Sequence, residues 1–209
     1  MQIKYNSIPK HAVKYCTELF TIDEALTLLE DSGYRCVPVL DKDGKKFLGN
    51  IYKSNIYEYI VKKMGETDES IMKLVKDEKI FTYEHSSFFQ IFFTISKYPY
   101  VAMLTEEGNF AGIVTHANVM ALLEDSWGVK TGGYSLTIST HEYQGALKKI
   151  VTDINKYCNI QSLLTLDNES TFLRRVIVTL PKNLSEDKFN EIVNKLERDG
   201  FRVFDIEKF

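Results

Sequence analysis

Residues Gly112 to Val119 read Gly-Ile-Val-Thr-His-Ala-Asn-Val: a glycine turn, a short apolar strand and a threonine that leads into an amphipathic helix. At such a junction the threonine hydroxyl lies beside the first unbonded N–H groups of the helix, an arrangement suited to phosphate or ribose oxygens. Thr115 is therefore the first candidate for polar recognition, with His116 beside it and Asn118 one turn further on. Thr115 reads also as a plain helix cap, and His116 as an exposed histidine at a helix start. The remaining titratable residues point to no reaction. His11, His85, His116 and His141 share no ligand spacing with a cysteine or a carboxylate, and there is no Gly-x-x-x-x-Gly-Lys loop, Gly-x-Ser-x-Gly elbow or paired-acid motif. The expectation is a binding protein and not an enzyme, with no metal and no resident cofactor.

This stretch has a partner earlier in the chain. Gly49 to Ile56 reads Gly-Asn-Ile-Tyr-Lys-Ser-Asn-Ile, and one ungapped offset lays Gly49 on Gly112, Asn55 on Asn118 and Leu26 on Phe89. A constant register over a whole unit predicts an internal repeat whose two copies cover each other's apolar faces.

The elements that carry these residues follow from the pattern. Thr21-Ile22-Asp23-Glu24 is a capping box, Ala25, Leu26, Leu28 and Leu29 form an apolar stripe, and Gly33 stops the helix. Before it, Pro9 reads as a breaker and Ala12 to Cys16 as a short extended piece. After it, Cys36 to Leu40, the turn Asp41 to Gly44 and Phe47 to Tyr52 predict a hairpin, and Asn55 to Met64 a second helix. Glu66 to Val75 is a charged connector with a short helix from about Asp68. The order then repeats: an extended Lys79 to Tyr83, a helix with Phe88, Phe89, Phe92 and Phe93 expected in the core, a hairpin with Pro99 to Leu104 laid on Cys36 to Asp41, and a helix from Asn118 to Leu123.

Trp127, Gly128, Gly132 and Gly133 mark a break. Beyond it, Tyr134 to Ser139 alternates as a strand, Ala146 to Ile154 is a helical stripe, and Ile160 to Leu166 and Phe172 to Leu180 pair about a turn at Asp167-Asn168. Ser185 caps a last helix that ends at Gly200, and Phe201 to Ile206 is the last strand. The order βαββαβ predicts a ferredoxin-like arrangement. The fold class is thus α/β (α+β).

Composition fits a soluble globular chain. Of 209 residues 44% are hydrophobic and 26% charged, and no apolar run reaches membrane-spanning length. The N-terminal stretch lacks the features of a signal peptide, so a cytoplasmic protein is expected. Cys16, Cys36 and Cys158, odd in number and far apart, are expected as reduced thiols. A net charge of -3 argues against a nucleic-acid binder, so an anionic ligand needs a local basic pocket.

Gly33-Tyr34-Arg35-Cys36-Val37-Pro38-Val39-Leu40-Asp41, Gly49-Asn50-Ile51 and Gly112-Ile113-Val114-Thr115 together resemble a tandem CBS-domain pair over about residues 8 to 125. The tail, with Gln144-Gly145-Ala146-Leu147 after its first strand, resembles an ACT domain. The expected division is residues 8–64 as CBS motif 1, 76–125 as CBS motif 2, 126–133 as linker and 134–209 as ACT domain. CBS pairs bind AMP, ATP or similar ligands in clefts between the motifs and dimerise as discs, and ACT domains often bind amino acids. Stand-alone bacterial proteins that join the two resemble cyclic di-AMP receptors.

The resemblance implies a ligand-sensing homodimer that binds cyclic di-AMP and transmits binding to a protein partner, with no nucleic acid and no membrane involved. An AMP/ATP energy sensor, an amino-acid sensor acting through the ACT domain, and a structural adaptor are the alternatives. In the implied cleft Thr115 holds ribose or phosphate, His116 and Arg35 face phosphate, and Cys36, Val37 and Pro38 line the adenine. Lys14 is a further phosphate contact and Tyr15 a stacking partner; Arg35 reads equally as a solvated surface charge. The family pattern Gly-x-x-Thr/Ser-x-x-Asp is altered: Asn118 replaces the aspartate after Thr115, and Tyr52 and Asn55 occupy the two places in the first unit. An asparagine still bonds a hydroxyl without repelling phosphate, whereas Tyr52 implies a blocked or altered seat. A second cleft through Tyr98, Tyr100, Tyr52, Lys53 and Asn55 is either another seat or an interface. In the tail, Gln144, Gly145 and Asn159-Ile160 match where ACT domains hold an amino acid.

Overall fold

The computed structural model describes residues 6–141, 144–166 and 173–209. The turn expected at Asp167-Asn168, the strand start at Phe172 and the first five residues of the N-terminal stretch lie outside the described residues. The chain forms two compact units, Met1–Met120 and Ala121–Phe209.

In the first unit, β1 (Ile8–Pro9) and β2 (Cys16–Thr17) flank a 3-10 turn at Lys10–Ala12. Pro9, expected as a breaker, sits in an edge strand, where a missing N–H costs no ladder bond. Helix α1 (Ile22–Ser32) starts at the predicted box: Thr21 Oγ1 accepts from the Glu24 N–H at 3.2 Å, and the Glu24 carboxylate accepts from the Thr21 N–H at 2.9 Å. Gly33, at φ 71°, ends it. The hairpin of β3 (Cys36–Leu40) and β4 (Phe47–Tyr52) follows, with β2 parallel to β3, and α2 (Lys53–Val61) leaves directly from β4. Ile22, Ala25 and Leu29 of α1 pack against Val37, Val39 and Ile51 to form one core.

The second motif repeats the order: β5 (Phe81–Tyr83), α3 (Phe88–Ile95), β6 (Tyr100–Leu104), β7 (Phe110–Thr115) and α4 (His116–Ser126). Its sheet runs β1-β7-β6-β5, so the N-terminal segment completes the sheet of the other motif. Both closing helices begin earlier than expected, because each strand runs without a loop into its helix.

The ungapped repeat needs a correction. Tyr52 faces Cys36 and Thr115 faces Tyr100, so the sheets match Cys36 with Tyr100, whereas the ungapped offset matches it with Pro99. Both hairpins bulge at the same place, between Val39 and Leu40 and between Met103 and Leu104, so the difference lies in the turn, which is one residue shorter from Leu104 to Phe110 than from Leu40 to Phe47. The aromatic helix also departs from expectation. Ile91 and Ile95 of α3 are buried, while Phe89 is 76% and Phe93 73% exposed and Phe92 is also exposed. One isoleucine stripe at i, i+4 satisfies the core and turns these rings outward; the Phe88 side chain lies outside the described residues.

The second unit contains β8 (Gly132–His141), α5 (Ala146–Ile154), β9 (Ser162–Leu166), β10 (Leu173–Pro181), α6 (Glu186–Arg198) and β11 (Arg202–Lys208). The sheet order β11-β8-β10-β9 is wholly antiparallel, and Leu136, Ile138, Val176 and Val178 pack with Ile150, Ile154, Ile192 and Leu196 of the helices. This is the ferredoxin-like arrangement. Gly132 and Gly133, read as part of the break, belong to β8; a Cβ on Gly133 would lie 2.5 Å from the Lys182 Cα. Cys16, Cys36 and Cys158 are free thiols, and burial pushes those of Cys16 and Cys36 up to about 12.

Two predictions follow from this packing. A Cβ on Gly112 would lie 2.2 Å from the Ile8 carbonyl oxygen, so Gly112→Ala forces β1 away from β7. The variant is expected to lose about 1–3 kcal/mol by urea denaturation, and an unchanged midpoint would show that β1 is not held there. In the second unit, Asp199 accepts from Lys149 Nζ at 2.5 Å and Lys195 Nζ at 2.7 Å, which hold its carboxyl well below the usual carboxylate range. The folded chain then resists protonation of Asp199 more than the unfolded chain, so this stabilisation is present above about pH 4 and is lost on further acidification. Melting temperatures from pH 7 to pH 2 should decline less steeply in Asp199→Asn, from a lower starting point; parallel curves would contradict the assignment.

Candidate functional site

A cleft of about 340 Å³ opens in the first unit, at the small end of the ~300–1,000 Å³ typical of ligand sites. Three stretches far apart in sequence build it: Ile8 with Ala12 to Lys14, then Gly33 to Pro38, then Pro99-Tyr100 with Ile113 and Thr115. The first is carried there by β1, whose Ile8 and Pro9 face Ile113 and Gly112. The second is the end of α1 running into β3, where the Gly33 turn sets Tyr34 and Arg35 at the mouth. The third is the junction of β7 with α4, opposite Tyr100.

The cleft brings together Lys14, Arg35, Cys36, Val37, Pro38 and Thr115, all expected from the sequence. Among the described residues neither Lys14 nor Arg35 makes an ion pair, and both are exposed. Two uncommitted cations thus stand beside a mostly apolar wall, a combination that favours a flat apolar group bearing an anion. The Thr115 hydroxyl donates to Asn118 Oδ1 at 2.6 Å and accepts from the Asn118 N–H at 3.3 Å, while the Thr115 N–H donates to Asn118 Oδ1 at 3.0 Å. Thr115 is therefore both helix cap and cleft residue, and its second lone pair is the polar handle left for a ligand.

Three expected residues take other places. Asn118 does not line the cleft; it stands behind Thr115 and fixes that hydroxyl. His116, the first residue of α4, is exposed and outside the cleft lining. Tyr15 packs on the core of Leu40, Ala102, Leu104 and Phe110, because β2 turns it away. The lining that sequence reasoning missed is Ile8, Ala12, Val13, Tyr34, Pro99, Tyr100 and Ile113. Ile8 to Val13 have no local pattern that could signal a pairing with β7, and Tyr100, expected in the second cleft, reaches this one because strand pairing makes it the counterpart of Cys36.

Behind the cleft lies a buried polar wall. The Cys36 thiol donates to the Tyr100 hydroxyl at 3.6 Å, and Tyr100 donates to Asn50 Oδ1 at 2.6 Å. Tyr52 donates to the Asp77 carboxylate at 2.5 Å. Desolvation raises both tyrosines far above their ordinary range, Tyr52 with help from the bonded Asp77. Both stay neutral and anchor the wall, Tyr52 as a donor and Tyr100 as donor and acceptor.

In the second unit, Gln144 and Gly145 precede α5 and Asn159-Ile160 follow it. A nine-residue helix, about 13 Å long, lies between them in the chain; the resemblance places such residues at a seam between two copies. Asn159 instead lines a groove of about 460 Å³ with Gln161, Asn183, Ser185 and Lys188. Among the described residues no cluster of His, Cys, Asp or Glu is arranged to hold a metal ion, and no helix is long and apolar enough to cross a membrane.

The family model for the CBS domain matches residues 6–62. Among solved structures the chain is similar to CbpB in complex with c-di-AMP, at 23% identity over 59% of this chain and 85% of that one, with a TM-score of 0.54. A CBS domain pair/ACT domain protein from Thermotoga maritima matches at 19% identity over 59% and 96%, TM-score 0.50. CBSX2 in complex with AMP matches at 14% over 58% and 95%, TM-score 0.50. No curated protein matches by sequence. Residues 6–62 are accordingly a CBS domain, and the chain shares the fold of CBS-pair proteins.

Proposed function

We propose that the chain is a ligand-sensing regulatory protein that binds an adenine nucleotide, cyclic di-AMP, in the cleft of its first unit. The observation that carries this reading is the pairing of Lys14 and Arg35, free of ion pairs among the described residues, with the apolar Cys36-Val37-Pro38 wall and the Thr115 oxygen. The wall takes the adenine face, Thr115 meets a ribose or phosphate oxygen, and the two cations meet phosphate. With Asn118 in place of a carboxylate, no fixed negative charge stands behind Thr115 to repel the phosphate. The complex of CbpB with c-di-AMP, on a similar fold, supports the choice of ligand.

AMP is the second reading. It is favoured by the modest volume of the cleft, which suits a mononucleotide, and by the complex of CBSX2 with AMP. Regulation in either case is a population shift, limited by the ligand's differential affinity for the conformations of the chain. The exposed rings of Phe89 and Phe93 on α3 supply an apolar surface for a homodimer, through which a protein partner senses the bound state. The expected domain division, with motifs at 8–64 and 76–125 and the tail at 134–209, belongs to the same proposal.

Calorimetric titration with cyclic di-AMP, AMP, ATP and cyclic di-GMP decides between the readings. Cyclic di-AMP is expected to bind at micromolar or tighter affinity and the others weakly; preference for AMP or ATP would make the chain an energy sensor. Arg35→Ala should weaken binding by about 1.5–3 kcal/mol, roughly ten- to 150-fold. An unchanged dissociation constant would remove Arg35 from the site.

A further inference from the structure

We propose that the internal repeat builds a second nucleotide seat in the first unit and that the side chain of Tyr52 closes it, leaving one ligand per chain. The argument rests on the binding reading above and extends it to the number of sites.

The strand registers define the relation between the seats. Cys36 faces Tyr52 across one hairpin, and Tyr100 faces Thr115 across the other. Exchanging the motifs therefore carries Thr115 to Tyr52, Cys36 to Tyr100 and Ile113 to Asn50. The strand that crosses the hairpin is repeated too. Ile8 pairs with Ile113, and in the same place Lys76 pairs with Asn50, through N–H···O bonds of 2.7 and 3.0 Å. Asp77 thus follows Lys76 as Pro9 follows Ile8, at the edge of the second seat.

The two seats differ in what stands at the strand end. In the open cleft Thr115 has a short side chain, bonded back to Asn118, and the space before it is empty. In the second seat the phenol of Tyr52 extends from the same strand position to the Asp77 carboxylate, 2.5 Å away. The ring spans the seat from wall to crossing strand, and Asp77, itself a residue with φ 59°, is the latch. Behind it the Tyr100 hydroxyl is bonded to Asn50, so the wall common to the two seats is already satisfied. Removing the ring would uncover the Asp77 carboxylate, an acceptor for the ribose hydroxyls of a nucleotide of the class taken by the open cleft.

Calorimetric stoichiometry on the full chain tests this, with cyclic di-AMP and AMP as titrants. The wild type is expected to take one ligand per chain. Tyr52→Thr, which copies the residue at the matching place in the other motif, should take two, and Tyr52→Phe, which keeps the ring, should still take one. Tyr52→Val serves as a second ring-deleted variant suited to a strand, and circular dichroism checks that each variant is folded. Two ligands in the wild type would overturn the proposal, as would a folded Tyr52→Thr or Tyr52→Val that takes no more than the wild type. Its failure is separable from failure of the first reading. One ligand in every variant leaves the open cleft standing and removes the closed seat; none in the wild type and one in Tyr52→Thr does the reverse.

Discussion

The pairing of Ile8–Pro9 with Ile113 and Gly112 is the contact on which the cleft depends. It lays the start of the chain across the returning strand of the second motif, at a point where only a missing Cβ permits the approach. Ala12, Val13 and Lys14 reach the cleft because this strand anchors them; detached, they would be an exposed N-terminal segment. Gly49 has the same role in the other motif: at φ 138°, its absent Cβ leaves room for Val75 and the Lys76 carbonyl. Each hairpin therefore borrows a strand from a segment that precedes the other element of the repeat. Neither hairpin is completed by its own motif alone.

The second constraint is the polar wall behind the cleft. Four neutral groups and one carboxylate, on Cys36, Tyr100, Asn50, Tyr52 and Asp77, bond in two short chains. An unmet hydroxyl at this depth would cost about 1–3 kcal/mol, so the bonds select one arrangement of the two hairpins over a shifted register. Desolvation keeps the tyrosines and the Cys36 thiol protonated, so these three groups carry no charge. The charge beside the cleft stands at its mouth, on Lys14 and Arg35, where water also reaches.

Much of this was legible in the sequence because the signals were local. Thr21 to Glu24 and Gly33 bound a helix through bonds to near neighbours, and the βαββαβ tail followed from periodicity and turn residues. Thr115 stood out through its place in the repeat, and Arg35 to Pro38 through the family resemblance; the structure brings all of them to one cleft. What escaped was set by distant partners. The match of Cys36 with Tyr100 depends on strand pairing across turns of unequal length, and the pairing of Ile8 with Ile113 leaves no trace in spacing. Composition misled at α3, where four phenylalanines suggested a core face that Ile91 and Ile95 already provide. Asn118, expected at the ligand, is bonded here to the hydroxyl and N–H of Thr115.

These constraints also determine how a ligand would act on the first unit. Lys14 hangs from the N-terminal segment, Arg35 from the first motif and Thr115 from the second, so an anion held by all three bridges pieces joined otherwise by β1 and the sheets. Such a ligand adds RT ln(1 + [L]/Kd), about 2.7 kcal/mol at a hundredfold excess over Kd, to the pairing of the motifs. That quantity exceeds the contribution of a single main-chain bond of β1, about 1 kcal/mol. The segment most sensitive to occupancy is then the N-terminal one, whose hold on β7 is short and whose basic residue meets the ligand. A sensor built in this way needs no large movement at the site; it needs only that the bound state keep β1 in place more often than the free state does.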